Sequence, residues 1–113
     1  MVIDRTTAPH YRWGEGCDGW RLEDADGLSV ISERMPPGAR ETRHRHAAAR
    51  QVFFVLDGIL TLRMPDGAVV LGPEQAQTVP PGVPHQAVNE GDRDARFLVI
   101  SAPATGGDRT DLP

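Results

Sequence analysis

The sequence predicts an all-β protein, a sandwich or barrel of short strands. Three observations point there. No stretch sustains the apolar period of about 3.6 residues that marks an amphipathic helix. Short apolar or alternating runs bounded by Gly, Pro and Asp recur instead, the signature of strands. Finally, 12 Gly and 10 Pro punctuate a chain of 113 residues too often for long helices. That length suits one domain, with roughly two-thirds of its unfolded surface buried.

Residues 1–27 read as an irregular arm. Its stretch YRWGEGCDGW holds the only Tyr and both Trp of the chain, so the arm is expected to pack on the barrel or on a neighbour. The barrel is expected over residues 28–101, with strands at 28–35, 41–46, 51–56, 59–64, 68–71, 77–79, 85–89 and 95–101. Asp57-Gly58 between apolar runs signals a type I′ hairpin. Pro65, Asp66 and Gly67 mark a second hairpin, and residues 90–95 a third reversal. Val52 to Leu56 is apolar on both faces. One face suits the barrel interior and the other a second layer, which favours a homodimer over a thick monomer. Residues 102–113 read as a loose polar tail.

Composition narrows the function. A net charge of −4 argues against nucleic acid as partner. Every basic side chain is Arg and none is Lys, which removes Schiff-base chemistry. The single cysteine, Cys17, forbids an intrachain disulfide and fits a reducing compartment. It reads as a small buried residue. No apolar run is long enough for a membrane helix, and the start is polar, so the expectation is a soluble cytoplasmic protein.

The chemistry centres on ETRHRHAAARQ, residues 41–51. On a strand, positions 42, 44 and 46 share one face and 41, 43 and 45 the other. His44 and His46 therefore project together, and Arg43 and Arg45 project away. Two imidazoles so placed form a common pair of metal ligands, although a lone H-x-H is also a common surface or packing pair.

The wider spacing is more specific. From Gly38 to Gly58 the chain reads G-x5-H-x-H-x4-Q-x6-G, and from Gly72 to Asn89 it reads G-x7-P-x-G-x2-H-x3-N. Together and in order these resemble the two motifs of the cupin superfamily, with two extra residues before Pro80 in the second. GCDGW, RHRHAAARQVFFVLDG, PPGVPHQAVN and RFLVIS together resemble a group of short bacterial single-domain cupins. The resemblance implies a double-stranded β-helix, or jelly-roll barrel. It also implies one divalent transition metal held by His44, His46, the residue at 51 and His85. His10 falls outside the pattern and reads as a surface or lid residue.

The chain departs from the pattern where a carboxylate is usual. Arg50 cannot ligate, because guanidinium offers no lone pair. Gln51 can, through its amide oxygen, and is the expected fourth ligand. Three imidazoles and an amide would leave the ion its full charge of +2, making it a stronger Lewis acid. Such a donor set suits Fe, Mn, Ni, Co, Zn or Cu. Phe53, Val55, Leu60, Leu62, Phe97 and Val99 could line a pocket, although core packing accounts for most of them. Glu33, Arg34 and Met35 end a strand that could pass the cavity, and one could supply a base or an anion anchor.

Two functions follow. The first is a metal-dependent enzyme on a small oxygen-chelating metabolite, of dioxygenase, isomerase, cyclase or lyase type. Cupin hydroxynitrile lyases, which the chain resembles in this respect, also place a Gln among three His. The second is a non-catalytic small-molecule-binding or sensor cupin, which the fold alone allows.

Overall fold

The computed structural model describes residues 1–113. It contains eleven strands and no helix. They are β1 (His10–Trp13), β2 (Cys17–Ala25), β3 (Leu28–Met35), β4 (His44–His46), β5 (Arg50–Asp57), β6 (Leu60–Met64), β7 (Gly67–Leu71), β8 (Ala76–Val79), β9 (Gln86–Val88), β10 (Ala95–Ala102) and β11 (Arg109–Asp111). No helix is present to cross a membrane.

Two curved layers face each other as a jelly roll. One is a six-stranded sheet in the order β1-β2-β3-β10-β5-β8. The other combines β7-β6-β9 with β4-β11. Single bridges, Arg40 to Val88 and His44 to His85, join those two pieces.

Alternation sorts side chains between the interior and the outside. On β5, Gln51, Phe53 and Val55 are buried, and on β10 so are Ala95, Phe97, Val99 and Ser101. The registers grade the interior along its length. Ser101 opposes Gln51, and Val99 lies between Phe53 and Ile31; Phe97 lies between Val55 and Glu33. Ser101 and Gln51 therefore meet at one end, and Glu33 is the polar residue set further along, beside Phe97. At the other, Met35, Val55, Leu60, Leu62 and Phe97 are fully buried and form the core. Each stabilises the fold by roughly 1.5–3 kcal/mol through burial. Cys17 is completely buried there, and desolvation pushes its thiol up to about 11, so it is an inert core residue.

Several expectations are corrected. Residues 10–25 form the two outer strands of the large sheet, not an irregular arm. Their aromatic residues divide between the faces: Tyr11 lines the cavity, and Trp20 stacks beside His10 on the outside. His10 is a surface residue bonded through Nε2 to Asp18 at 2.8 Å. The end of the chain is not a loose tail, because β11 pairs with β4. The strand expected at 41–46 is regular only over 44–46.

Asp57-Gly58 is not a hairpin either. β5 pairs with β10 and β8, whereas β6 pairs with β7 and β9, so this turn carries the chain from one layer to the other. Pro65-Asp66 does close a hairpin, between Met64 and Gly67. The 90–95 reversal is stitched by Asn89, whose Nδ2 donates to Met35 O at 2.8 Å and to Arg93 O at 2.9 Å.

Gly58 has a φ of +79°, and a Cβ there would run into the backbone carbonyl of Asp94. Left-handed backbone costs an L side chain roughly 1–2 kcal/mol, and overpacking about 1–3 kcal/mol more. Gly58→Ala is therefore expected to destabilise the protein by about 2–5 kcal/mol. Urea denaturation checks this, and an unchanged midpoint would contradict it.

Candidate metal centre

The H-x-H pair sits on β4 because its neighbours pin that short strand from both sides. His44 and His85 exchange backbone hydrogen bonds of 3.0 and 2.9 Å. On the other edge β11 pairs Arg109 with His46 and Asp111 with His44. His44, His46 and His85 are each at most 6% exposed. Their ring centroids lie 4.9 Å apart for His44–His46, 4.4 Å for His44–His85 and 5.9 Å for His46–His85.

Each ring has its Nδ1 committed. His44 Nδ1 lies 2.7 Å from Thr42 O, and His85 Nδ1 lies 3.0 Å from Val83 O. His46 Nδ1 lies 2.8 Å from Asp108 Oδ1. All three partners are oxygens that can only accept, Asp108 being ionised, so each Nδ1 carries hydrogen, and a neutral ring in this setting has its lone pair at Nε2. Desolvation by burial lowers the His44 pKa to about 4 and holds His85 below its ordinary value. His44 and His85 are therefore neutral near pH 7, the state a metal requires.

The donors fit a cation. One ligand atom from each of the three histidines falls in a group within 4.8 Å, close enough to hold a metal ion. His85 Nε2 is buried without a hydrogen-bond partner, and so is Gln51 Oε1. A buried orphan acceptor costs about 1–3 kcal/mol, and a cation would satisfy both. Gln51 stands beside His44 and His46 on the wall of one cavity. Its Nε2 is engaged by Ser101 Oγ at 3.1 Å. Arg50 is exposed and takes no part.

That cavity measures about 230 Å³. Of the pocket residues expected from sequence, Phe53, Val99 and Glu33 reach it, and Val55, Leu60, Leu62 and Phe97 belong to the core. Ile31 completes the apolar wall, and Tyr11, Arg21, Glu41, Thr105 and Arg109 are also in the lining. The Tyr11 ring lies directly against Gly19, where any Cβ would overlap it, so Gly19 gives the ring its place. Arg21 stacks over the same ring at 4.6 Å.

Sequence reasoning missed four of these residues. Glu41 was expected to point away with Arg43 and Arg45. The backbone at 41–43 is not strand, so Glu41 turns in and accepts from Ala87 N at 2.9 Å. Tyr11 and Arg21 were hidden in the supposed arm and Arg109 in the supposed tail. The alternating signal in H-Y-R-W was available but is short.

Two carboxyl groups in the cavity are strongly perturbed. Desolvation and then the charge of Glu41 push Glu33 up to about 8, against a smaller pull from Arg109 and the Tyr11 hydroxyl. Desolvation pushes Glu41 up to about 7, opposed by the Ala87 amide and by Arg109. Asp108 behaves differently. Burial raises it, but hydrogen bonds from His46, Ala49 and Ala48 outweigh that, and it lies below the ordinary carboxylate range.

This arrangement is the double-stranded β-helix with an inward histidine cluster, and the chain belongs to the cupin family. The family model for the cupin domain matches residues 31–101. No curated protein matches the sequence. Among solved structures, a sugar phosphate isomerase of the cupin superfamily from Silicibacter pomeroyi is similar at 26% identity, with a TM-score of 0.81. The match covers 92% of this chain and 76% of that one. The polyketide cyclase RemF from Streptomyces resistomycificus matches at 23% identity and a TM-score of 0.85, over 100% of this chain and 85% of that one. KdgF from a Halomonas species matches at 18% identity and 0.83, over 92% and 95%.

The perturbed groups set a pH dependence for the metal-free protein. Between the ordinary Glu value of 4.5 and about 8, the folded chain retains a Glu33 proton that the unfolded chain has lost. Stability therefore falls as pH rises through that window. His44 acts oppositely, because its folded value of about 4 lies below the ordinary 6.5, so its term rises with pH only over that range. From pH 6.5 to 8 only the carboxyl groups contribute, and stability is expected to fall. Urea midpoints in the presence of a chelator check this. Glu33→Gln should flatten most of the slope near pH 8, where Glu41 has largely titrated, and a flat wild-type profile would contradict the account.

Proposed function

We propose that this protein is a metal-dependent enzyme that transfers a proton on a small, oxygen-chelating metabolite, in a reaction of isomerase or cyclase type. One observation carries the reading: His44 and His46 of the histidine cluster line the same cavity of about 230 Å³ as Glu33. His44, His46 and His85 would hold the ion through Nε2, and Gln51 would add its amide oxygen. Bound there, a divalent transition ion supplies Lewis-acid polarisation of substrate oxygens, and Fe, Mn, Ni, Co, Zn and Cu all accept such donors.

The remaining work falls to the chain. Glu33, with a pKa of about 8, is suited to exchange a proton with substrate near neutral pH. Glu41 adds a second carboxyl group to the same desolvated corner, and its charge raises Glu33 further. Arg21 and Arg109 favour a substrate with a negative charge. Ile31, Phe53 and Val99 exclude water from the apolar side. The cavity is smaller than the roughly 300–1,000 Å³ of drug-sized pockets, which favours a compact substrate. The similarity to a sugar phosphate isomerase supports the same direction.

The test is hydrogen exchange in D₂O with metal-loaded protein and a panel of hydroxy acids, oxo acids, diketones and sugar phosphates. Deuterium should enter carbon next to a chelating oxygen. A chelator should abolish the exchange, and Glu33→Gln should slow it by about 10²–10⁴-fold with metal content unchanged. Oxygen uptake without exchange would instead mark a dioxygenase. Ligand binding with neither would mark a non-catalytic binding cupin.

The ligand set has its own test. Gln51→Ala should weaken metal binding about tenfold or more, the loss of roughly 1.4 kcal/mol. Full affinity in that variant would remove Gln51 from the set. The assembly expected is a homodimer through the outer face of the large sheet. Val52, Phe54, Leu98 and Ile100 are only partly covered there. Sedimentation as a monomer at micromolar concentration would contradict it.

A further inference from the structure

Of the carboxylates near the histidine cluster, only one is hydrogen-bonded to an imidazole. Glu41 stands 4.0 Å from His44 Nδ1, beyond hydrogen-bond reach, and that nitrogen is already satisfied by Thr42 O. Glu33 is on the far strand and bonds to no histidine. Asp108 is different. Its Oδ1 accepts from His46 Nδ1 at 2.8 Å across 62 residues of chain. Its Oδ2 accepts from Ala49 N at 3.0 Å and Ala48 N at 3.2 Å. Its side chain is 12% exposed. Three donors converging on a nearly buried carboxylate hold it ionised.

His44 and His85 are oriented by backbone carbonyls two residues before them, a local device. His46 is oriented by a full negative charge from the other end of the chain. A carboxylate on the second nitrogen of an imidazole fixes its tautomer and makes the opposite lone pair a better donor. The same aspartate also ties down the 47–49 turn, which leads from His46 to Gln51.

We propose that Asp108 is a positioning residue for the metal site, supplying through His46 the negative charge that Gln51 does not bring. The inference rests on the metal-binding reading above. The C-terminal segment is then a working part of the site: β11 braces β4 by backbone pairing, and the residue before it sets the donor strength of His46.

The test uses the full chain, stripped of metal and titrated with Co(II) in competition with a chromogenic chelator. Asp108→Asn should weaken Co(II) binding about 10–100-fold and shift the visible absorption bands of the Co(II) protein. Asp108→Glu disturbs the same turn but keeps the charge, so it should bind more tightly than Asp108→Asn. Equal losses in the two variants would show a structural role alone and overturn the proposal. A double-mutant cycle tests the route: in a His46→Gln background, Asp108→Asn should add less than about a twofold loss. An undiminished loss there, or affinity in Asp108→Asn within about twofold of wild type, would also overturn it. Wild-type protein that takes up no Co(II) would overturn both this inference and the metal reading. Wild-type binding with an indifferent Asp108→Asn would overturn this inference alone.

Discussion

The site depends on one constraint: each of three buried imidazoles gives its Nδ1 hydrogen to a fixed oxygen. Thr42, Val83 and Asp108 provide those oxygens. With that hydrogen committed, the remaining lone pair on each ring is at Nε2. Burial keeps His44 and His85 neutral, so the lone pairs stay available at neutral pH. The cost is visible in the buried orphan atoms His85 Nε2 and Gln51 Oε1. A folded chain carries such atoms when something else completes them.

The fold serves this constraint by placing Gln51 and Ser101 at one end of an interior whose other end is the apolar core. Ser101 faces Gln51, and Phe53 bridges the two ends with its ring 5.8 Å from His85 and 6.2 Å from Phe97. Apolar packing on one side holds the imidazoles still. On the other, a desolvated pair of glutamates keeps its protons to unusually high pH. Charge is thereby separated by role. His44 and His85 are neutral, the charge on Asp108 is held outside the donor set, and the proton-carrying groups face the cavity.

Much of this was legible in the sequence, and the rest was hidden for physical reasons. His44, His46 and His85 were readable because strand alternation and motif spacing encode direction as well as distance. Gln51 followed once Arg50 was ruled out chemically. The core strands β3, β5 and β10 were readable because their runs are long and apolar. β1 and β2 were not, because Gly14, Gly16 and Gly19 break the alternation and resemble loop punctuation. Asp57-Gly58 misled because a tight turn is chemically the same whether it closes a hairpin or passes between layers. Glu41 was misdirected by extending strand geometry three residues too far. Asp108 carried no local signal at all, since its partner is 62 residues away.

The central claim is that three imidazoles and one amide oxygen converge on a single cation. A crystal structure of metal-loaded protein, with anomalous maps on either side of the metal edge, tests it most directly. The account predicts one peak, about 2.0–2.2 Å from each histidine Nε2 and from Gln51 Oε1. A peak held by Glu33 or Glu41, or one bound through any Nδ1, would contradict it.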